Sequence, residues 1–250
     1  MGVSVKYQAI PPSSLLFDRL QGDMAFALLT KRAFKWGNSI YSFFDEPERG
    51  KTMLMDSQVV EDALLQTPPA LRETARQTFE LLRQNRAKLS AVMGLALDED
   101  LQELIDEHPD VFGSEHEARR WVDDFRLALE RTREGYPGIE GRNCLLENTW
   151  RSIQDGLVRK LVVARGTSTS RYVSSLMFGD ERIGRHFALP EEERLGLVTP
   201  DLVREGAHVL QGIDAPAHFA EDGAACIENF LCWRQLYQAA AAKGEALLVD

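Results

Sequence analysis

The sequence predicts a helix-rich α+β protein in which a mixed sheet is formed by strands from the N- and C-terminal ends of the chain, with a central helical insertion. Three observations lead there. Val3, Val5 and Tyr7 alternate with Ser4, Lys6 and Gln8, the period of two expected of a strand with one face inward. Ala246, Leu247, Leu248 and Val249 form a short apolar run after Gly244 and fit a closing strand beside the first. Between the two ends, apolar residues recur at helical spacing, and the run from Pro68 to Glu134 is bracketed by Pro and Gly. Residues 1–250 therefore read as a single domain, with 68–134 as a helical insertion or subdomain.

Each element has its local reason. Pro11 and Pro12 stop the first strand, and Ser13 or Ser14 caps a helix carrying Leu15, Leu16 and Leu20 on one stripe. Phe34, Trp36, Tyr41, Phe43 and Phe44 then cluster; they read as a strand or loop packing its rings into a core. Asp56 or Ser57 is positioned to cap a short helix. A long helix is expected from about Ala70 to Met93, then an acidic amphipathic helix with Leu97, Leu101, Leu104 and Ile105 that ends at His108–Pro109. Ser114 opens the next helix with Glu117 as its capping-box partner and Trp121, Val122, Phe125, Leu127 and Leu129 as packing residues. Asn148 or Thr149 caps a helix buried through Trp150, Ile153, Leu157 and Leu161. The stretch from Ser175 to Asp214 is the most specified: an apolar piece (Leu176, Met177, Phe178), glycine bends at 179 and 184, and a helix with Thr199 as N-cap and Pro200 at its first position. A last helix spans about Ala224 to Ala242.

Composition narrows the function classes. Hydrophobic residues make up 44% and charged ones 27%, the balance of an ordinary globular chain. The 29 Lys and Arg stand against 39 Asp and Glu, a net charge of -10 that works against nucleic acid as a partner. No apolar run reaches membrane-spanning length, and the three cysteines form no CxxC pair, which suits a reducing, cytoplasmic setting without disulfide framework or zinc site. Cys226 and Cys232 read as small core residues.

Nine acidic residues fall between Asp98 and Glu117 with no Lys or Arg among them. A concentrated negative face of this kind suits docking of a basic protein, and Asp98, Asp100, Glu103 and Asp106 are the residues nominated for it. A solvated helix face is the plainer account of the same residues. The loop Arg165 to Arg171 (RGTSTSR), with Tyr172 and His186, could hold a small anionic ligand through hydroxyls, amides and guanidinium groups. An enzyme, a hydrolase or transferase, would use Arg165, Ser168, Arg171, Tyr172 and His186 around the Gly179 turn. No GxSxG, SxxK, HRD or HExxH pattern supports catalysis, and no motif calls for a cofactor or metal ion. A third reading takes aromatics near Trp36 as a contact between copies of the chain, whose oligomeric state is left open.

The opening MGVSVKYQAIPPSSL, the Trp150 segment NTWRSIQDGL, the pieces LMFGDERIG and LVTPDLVREGAHVL, and the ending LYQAAAAKGEALLV together resemble the YfbM-like bacterial family, a domain of unknown function. The block from Pro68 to Glu134 departs from that pattern. The resemblance implies a compact α+β fold and a cytoplasmic bacterial setting; it brings no activity. A non-enzymatic, protein-binding role is thus expected first, of the sort immunity proteins play when they neutralise a basic toxin.

Overall fold

The strands anticipated at the two ends of the chain pair with each other. The structure, a computed structural model, describes residues 4–36, 39–45, 61, 64–65, 67–84, 86–161, 169–183, 189 and 194–250. In chain order the elements are β1 (Val5–Ile10), α1 (Leu15–Gly22), α2 (Met24–Trp36), α3 (Arg72–Gln84), α4 (Arg86–Glu107), α5 (Pro109–Phe112), α6 (Glu115–Gly135), β2 (Asn143–Leu146), α7 (Trp150–Lys160), α8 (Thr169–Phe178), β3 (Glu181–Ile183), β4 (Leu195–Val198), α9 (Pro200–Gln211), α10 (Ala215–His218), α11 (Ala224–Lys243) and β5 (Ala246–Val249). Short 3-10 turns lie at Ile40–Asp45, Pro69–Leu71 and Ile139–Gly141.

The sheet order is β2-β1-β5-β4-β3, and Tyr7 lies opposite Val249, Ile10 opposite Ala246. All four pairings are antiparallel, which corrects the expectation of a mixed sheet. The reason is in the connections. Parallel neighbours arise when a single crossover helix joins them, whereas two long helices, α9 and α11, separate β4 from β5, so the chain re-enters reversed.

Both faces of β1 are covered, so the alternation read as one face inward is also corrected. Tyr7 faces α11, its ring 6.0 Å from that of Trp233. Lys6, on the opposite face, donates from Nζ to the Phe34 carbonyl of α2. Gln8 Nε2 donates to the carbonyls of Ile139 and Arg142, each at 3.0 Å. Gln8 is thus buried and Lys6 half-buried, each donating to backbone oxygens inside the protein. Arg142 and Glu245 add a fork-to-fork ion pair, Nη2 to Oε1 at 2.7 Å and Nε to Oε2 at 2.9 Å, with the Glu245 side chain only 2% exposed.

Around Trp233 the aromatic core includes Phe230, Tyr237 and Phe219. Two of its phenols serve the end of α8, where the last carbonyls have no partner within the helix. Tyr7 Oη donates to Met177 O at 2.8 Å and Tyr237 Oη to Leu176 O at 2.5 Å. Leu176–Phe178, expected as an apolar loop piece, is thus the last turn of a helix that starts at Thr169.

Gly179 ends that helix at φ +91, and a Cβ there would lie 2.5 Å from the Leu197 backbone nitrogen. A Cβ on Gly196 would fall on the Phe178 carbonyl oxygen. Two glycines thereby let the end of α8 lie directly against β4.

The chain divides into two units, residues 1–41 with 114–250, and residues 42–113. The helical block read over 68–134 crosses that limit. Its last helix, α6, packs against α1 and α2, burying Ala118, Phe125, Ala128 and Leu129, and so counts with the sheet. Leu127, expected to pack, is exposed. In the second unit α4 runs unbroken from Arg86 through Gly94 to Glu107, where a stop near Met93 was expected. The aromatic stretch expected as strand or loop is the end of α2 followed by a 3-10 turn, with Phe34, Tyr41 and Phe43 buried. The short helix expected near Asp56 lies outside the described residues.

Gly196→Ala should lower the free energy of unfolding by about 3 kcal/mol in a urea melt, because backbone must move to admit the methyl group. Gly212→Ala, whose Cβ would keep 3.6 Å from the nearest atom, serves as the near-neutral control. Equal melts for the two variants would refute the close packing of α8 on β4.

Burial holds the phenols of Tyr7, Tyr41 and Tyr237 well above the usual tyrosine range, and burial followed by the Glu205 carboxylate pushes Tyr172 up to about 12. A folded-state value above the unfolded one, about 10, means stability is intact below pH 10 and is lost as pH rises above it. Phenolate absorbance at 295 nm should therefore appear together with loss of near-UV dichroism. Reversible ionisation of these four tyrosines below pH 11 with the dichroism unchanged would contradict the buried placement.

Candidate functional site

Of the residues nominated for an anionic ligand, Arg171 and Tyr172 are among the described residues. Arg165, Ser168 and His186 lie outside them. Arg171 and Tyr172 are neighbours on α8, about 100° apart around its axis, and they part company: Arg171 is exposed, Tyr172 buried toward Glu205 of α9. At the Gly179 turn the structure instead positions Asp180, whose Oδ1 accepts from the Thr199 amide at 2.9 Å and whose Oδ2 accepts from Thr199 Oγ1 at 2.8 Å. Thr199 occupies the N-cap position of α9 as expected, but its hydroxyl is turned to Asp180 rather than to the first helical turn. The turn is a brace for the start of α9.

Asp180→Ala should cost about 1 kcal/mol of stability, the scale of a lost helix-terminal acceptor, with Asp180→Asn retaining part of it. Thermal melts of the two variants check this; an unchanged melting temperature for Asp180→Ala would remove the bracing role.

The acidic residues are arranged differently. On α4, Leu97, Leu101 and Leu104 form the buried stripe. At 100° per residue the opposite side carries Glu99, Glu103 and Asp106 in the middle, with Asp98 at one flank and Asp100 and Glu107 at the other. All of these are exposed except Asp100, which is half-buried. Glu99, Gln102, Glu103, Asp106 and Glu107 line an open recess of about 550 Å³. Gln102 Nε2 donates to Asp106 Oδ1 at 2.8 Å. The structure thus brings the four nominated residues onto one helix within nine positions, and it adds Glu99 and Glu107, which a helical projection of the sequence would have supplied.

The rest of the nine-carboxylate run has other work. Asp110 is exposed on α5, and Glu115 and Glu117 stand in the first turn of α6, where the helix dipole favours negative charge. Glu117 closes the capping box, accepting from the Ser114 amide at 2.8 Å, and the Ser114 hydroxyl and amide hold its carboxyl below the usual range.

Among the described residues no group of three or more His, Cys, Asp or Glu is placed to hold a metal ion, and no helix is long and apolar enough to cross a membrane. Phe34, Tyr41 and Phe43 are buried and Trp36 half-buried, so the aromatic cluster is chiefly core. No family model, curated protein or solved structure matches the chain.

Proposed function

We propose that the protein is a non-enzymatic binding module that captures a basic partner protein through the acidic face of α4. The observation that carries this reading is where the charge sits. Glu99, Glu103 and Glu107 follow one another at i, i+4 spacing, an arrangement that weakens a helix by about 0.2–0.5 kcal/mol per like-charge pair. They also occupy the C-terminal half of α4, whose last turn has no basic residue and where the dipole disfavours carboxylates. Neither the spacing nor the dipole favours carboxylates at these positions, and attraction of a cationic surface supplies a reason for them.

The distribution over the two units supports it. Residues 42–113 hold 15 Asp and Glu against 7 Lys and Arg, and the remaining residues hold 24 against 22, so most of the net charge of -10 belongs to the smaller unit. A localised field of this kind steers encounter and sets orientation, and it raises association rates by 10-fold or more at low salt, by the usual order of magnitude for such steering. The kinship with the YfbM-like family and a cytoplasmic setting belong to the same proposal. Three free thiols are in keeping with a reducing compartment.

Affinity capture from the source organism should recover a strongly basic protein, with binding that weakens steeply between low and physiological salt as the Debye length shortens to about 8 Å. The combined variant Asp98→Asn, Asp100→Asn, Glu103→Gln, Asp106→Asn should slow association with that protein by about 10-fold or more while leaving the melt of the sheet-bearing unit unchanged. Recovery of no basic protein, or association indifferent to the four substitutions, would overturn the reading.

A further inference from the structure

Cys144 and Cys232 are far apart in sequence and belong to no motif, yet the fold brings them together. Cys144 sits in β2 directly opposite Tyr7 of β1, so the two side chains leave the same face of the sheet. On that face the Tyr7 ring lies against Trp233, the residue after Cys232 in α11. About one helical turn earlier, Asn229 Nδ2 donates to Thr149 Oγ1 at 2.7 Å, tying α11 to the segment that leaves β2. Within this frame the Cys232 thiol lies beside that of Cys144. Their surroundings differ: Cys144 is buried and Cys232 is exposed, which corrects the reading of Cys232 as a core residue. The third thiol, Cys226, is fully buried.

We propose that Cys232 and Cys144 form a hydroperoxide-reactive pair, Cys232 the sulfur that meets the oxidant and Cys144 the sulfur that closes an intramolecular disulfide onto it. In the first step the Cys232 thiolate attacks one peroxide oxygen and the O–O bond breaks. Cys232 becomes a sulfenic acid, and the departing hydroxide takes a proton from solvent to leave as water. In the second, Cys144 sulfur attacks Cys232 sulfur, the S–O bond breaks, and the leaving hydroxide takes the Cys144 proton and departs as a second water. Two thiols have lost two electrons, hydrogen peroxide has gained them, and a covalent bond joins β2 to α11.

The polarity of the pair suits these roles. Cys232 is open to solvent where an oxidant can reach it, and Cys144 is buried behind it. Interaction between the two thiols favours the thiolate on Cys232, and the same interaction, then burial, keeps Cys144 protonated. Burial, then Asp222, pushes Cys226 up to about 11, which makes it an internal unreactive reference.

Treatment of the reduced protein with hydrogen peroxide, alkylation of remaining thiols and non-reducing peptide mass spectrometry test the proposal. Titratable thiols should fall from three to one. A Cys144–Cys232 cross-linked peptide should appear, lighter than its two halves by two hydrogens, and dithiothreitol should reverse it. Cys144→Ala should leave a dimedone-reactive sulfenic acid on Cys232, and Cys232→Ser should abolish oxidation of Cys144. Reaction of all three cysteines at indistinguishable rates, or overoxidation of Cys232 with no link to Cys144, would overturn the proposal on the unsubstituted protein alone, whether or not the variants fold.

Discussion

The pairing of β1 with β5 is the contact on which the sheet-bearing unit depends. In the order β2-β1-β5-β4-β3 these two strands stand next to each other inside the sheet, β2 pairing with β1 and β4 with β5, so only β3 is placed at one remove. Their register is held at both ends. At one, the Lys6 amide donates to Asp250 O at 2.9 Å and the Asp250 amide returns a bond to Lys6 O at 3.0 Å, while Lys31 Nζ meets Asp250 Oδ1 at 2.6 Å. At the other, Arg142 stands just before β2 and Glu245 just before β5, the two strands that flank β1. Taking both charges out of water costs several kcal/mol each, and the bidentate geometry with a further bond from Arg142 Nη1 to Pro137 O offsets it. The value of such a pair lies in position more than in net stability: a one-residue slip of either strand would leave a buried charge alone.

Much of this could be read before any coordinates. The first and last strands, the capping box at Ser114, the Thr199–Pro200 start of α9 and the final helix all have local chemistry that announces them. What escaped was β4, a four-residue run of Leu195, Gly196, Leu197 and Val198 buried on both faces. It shows no alternation, because a strand with two covered sides has no polar side to reveal. β2 escaped for a related reason: Asn143 and Cys144 carry no strand signal, and the strand exists because β1 needs a neighbour. Lys6 and Gln8 misled in the opposite sense, since a polar residue that meets a carbonyl inside the protein looks, in sequence, like one that meets water.

Site residues divide along the same line. The acidic face was legible because helical spacing alone puts Asp98, Glu103 and Asp106 away from the leucine stripe. The proximity of Cys144 and Cys232 was not, since it follows from a strand register and a helix packing that no local pattern encodes. The two proposals also differ in how the protein bears them. Like charges at i, i+4 spacing on α4 work against the helix that carries them, whatever they bind. The thiols, by contrast, add little burden, since Cys144 is a small buried side chain and Cys232 meets solvent.

The central place of β5 has a consequence for biosynthesis. Chains emerge from the ribosome N-terminus first, at about 5–20 residues per second, so β1 waits on the order of 10–50 s for the strand that covers one of its edges. For part of that interval β2 can guard the other edge, and α1, α2 and α6 can assemble over one side. The remaining open edge is then a template for other nascent chains. Slower translation of the final third, or depletion of the chaperones that shield exposed strands, would be felt by this protein earlier than by one whose central strands are neighbours in sequence.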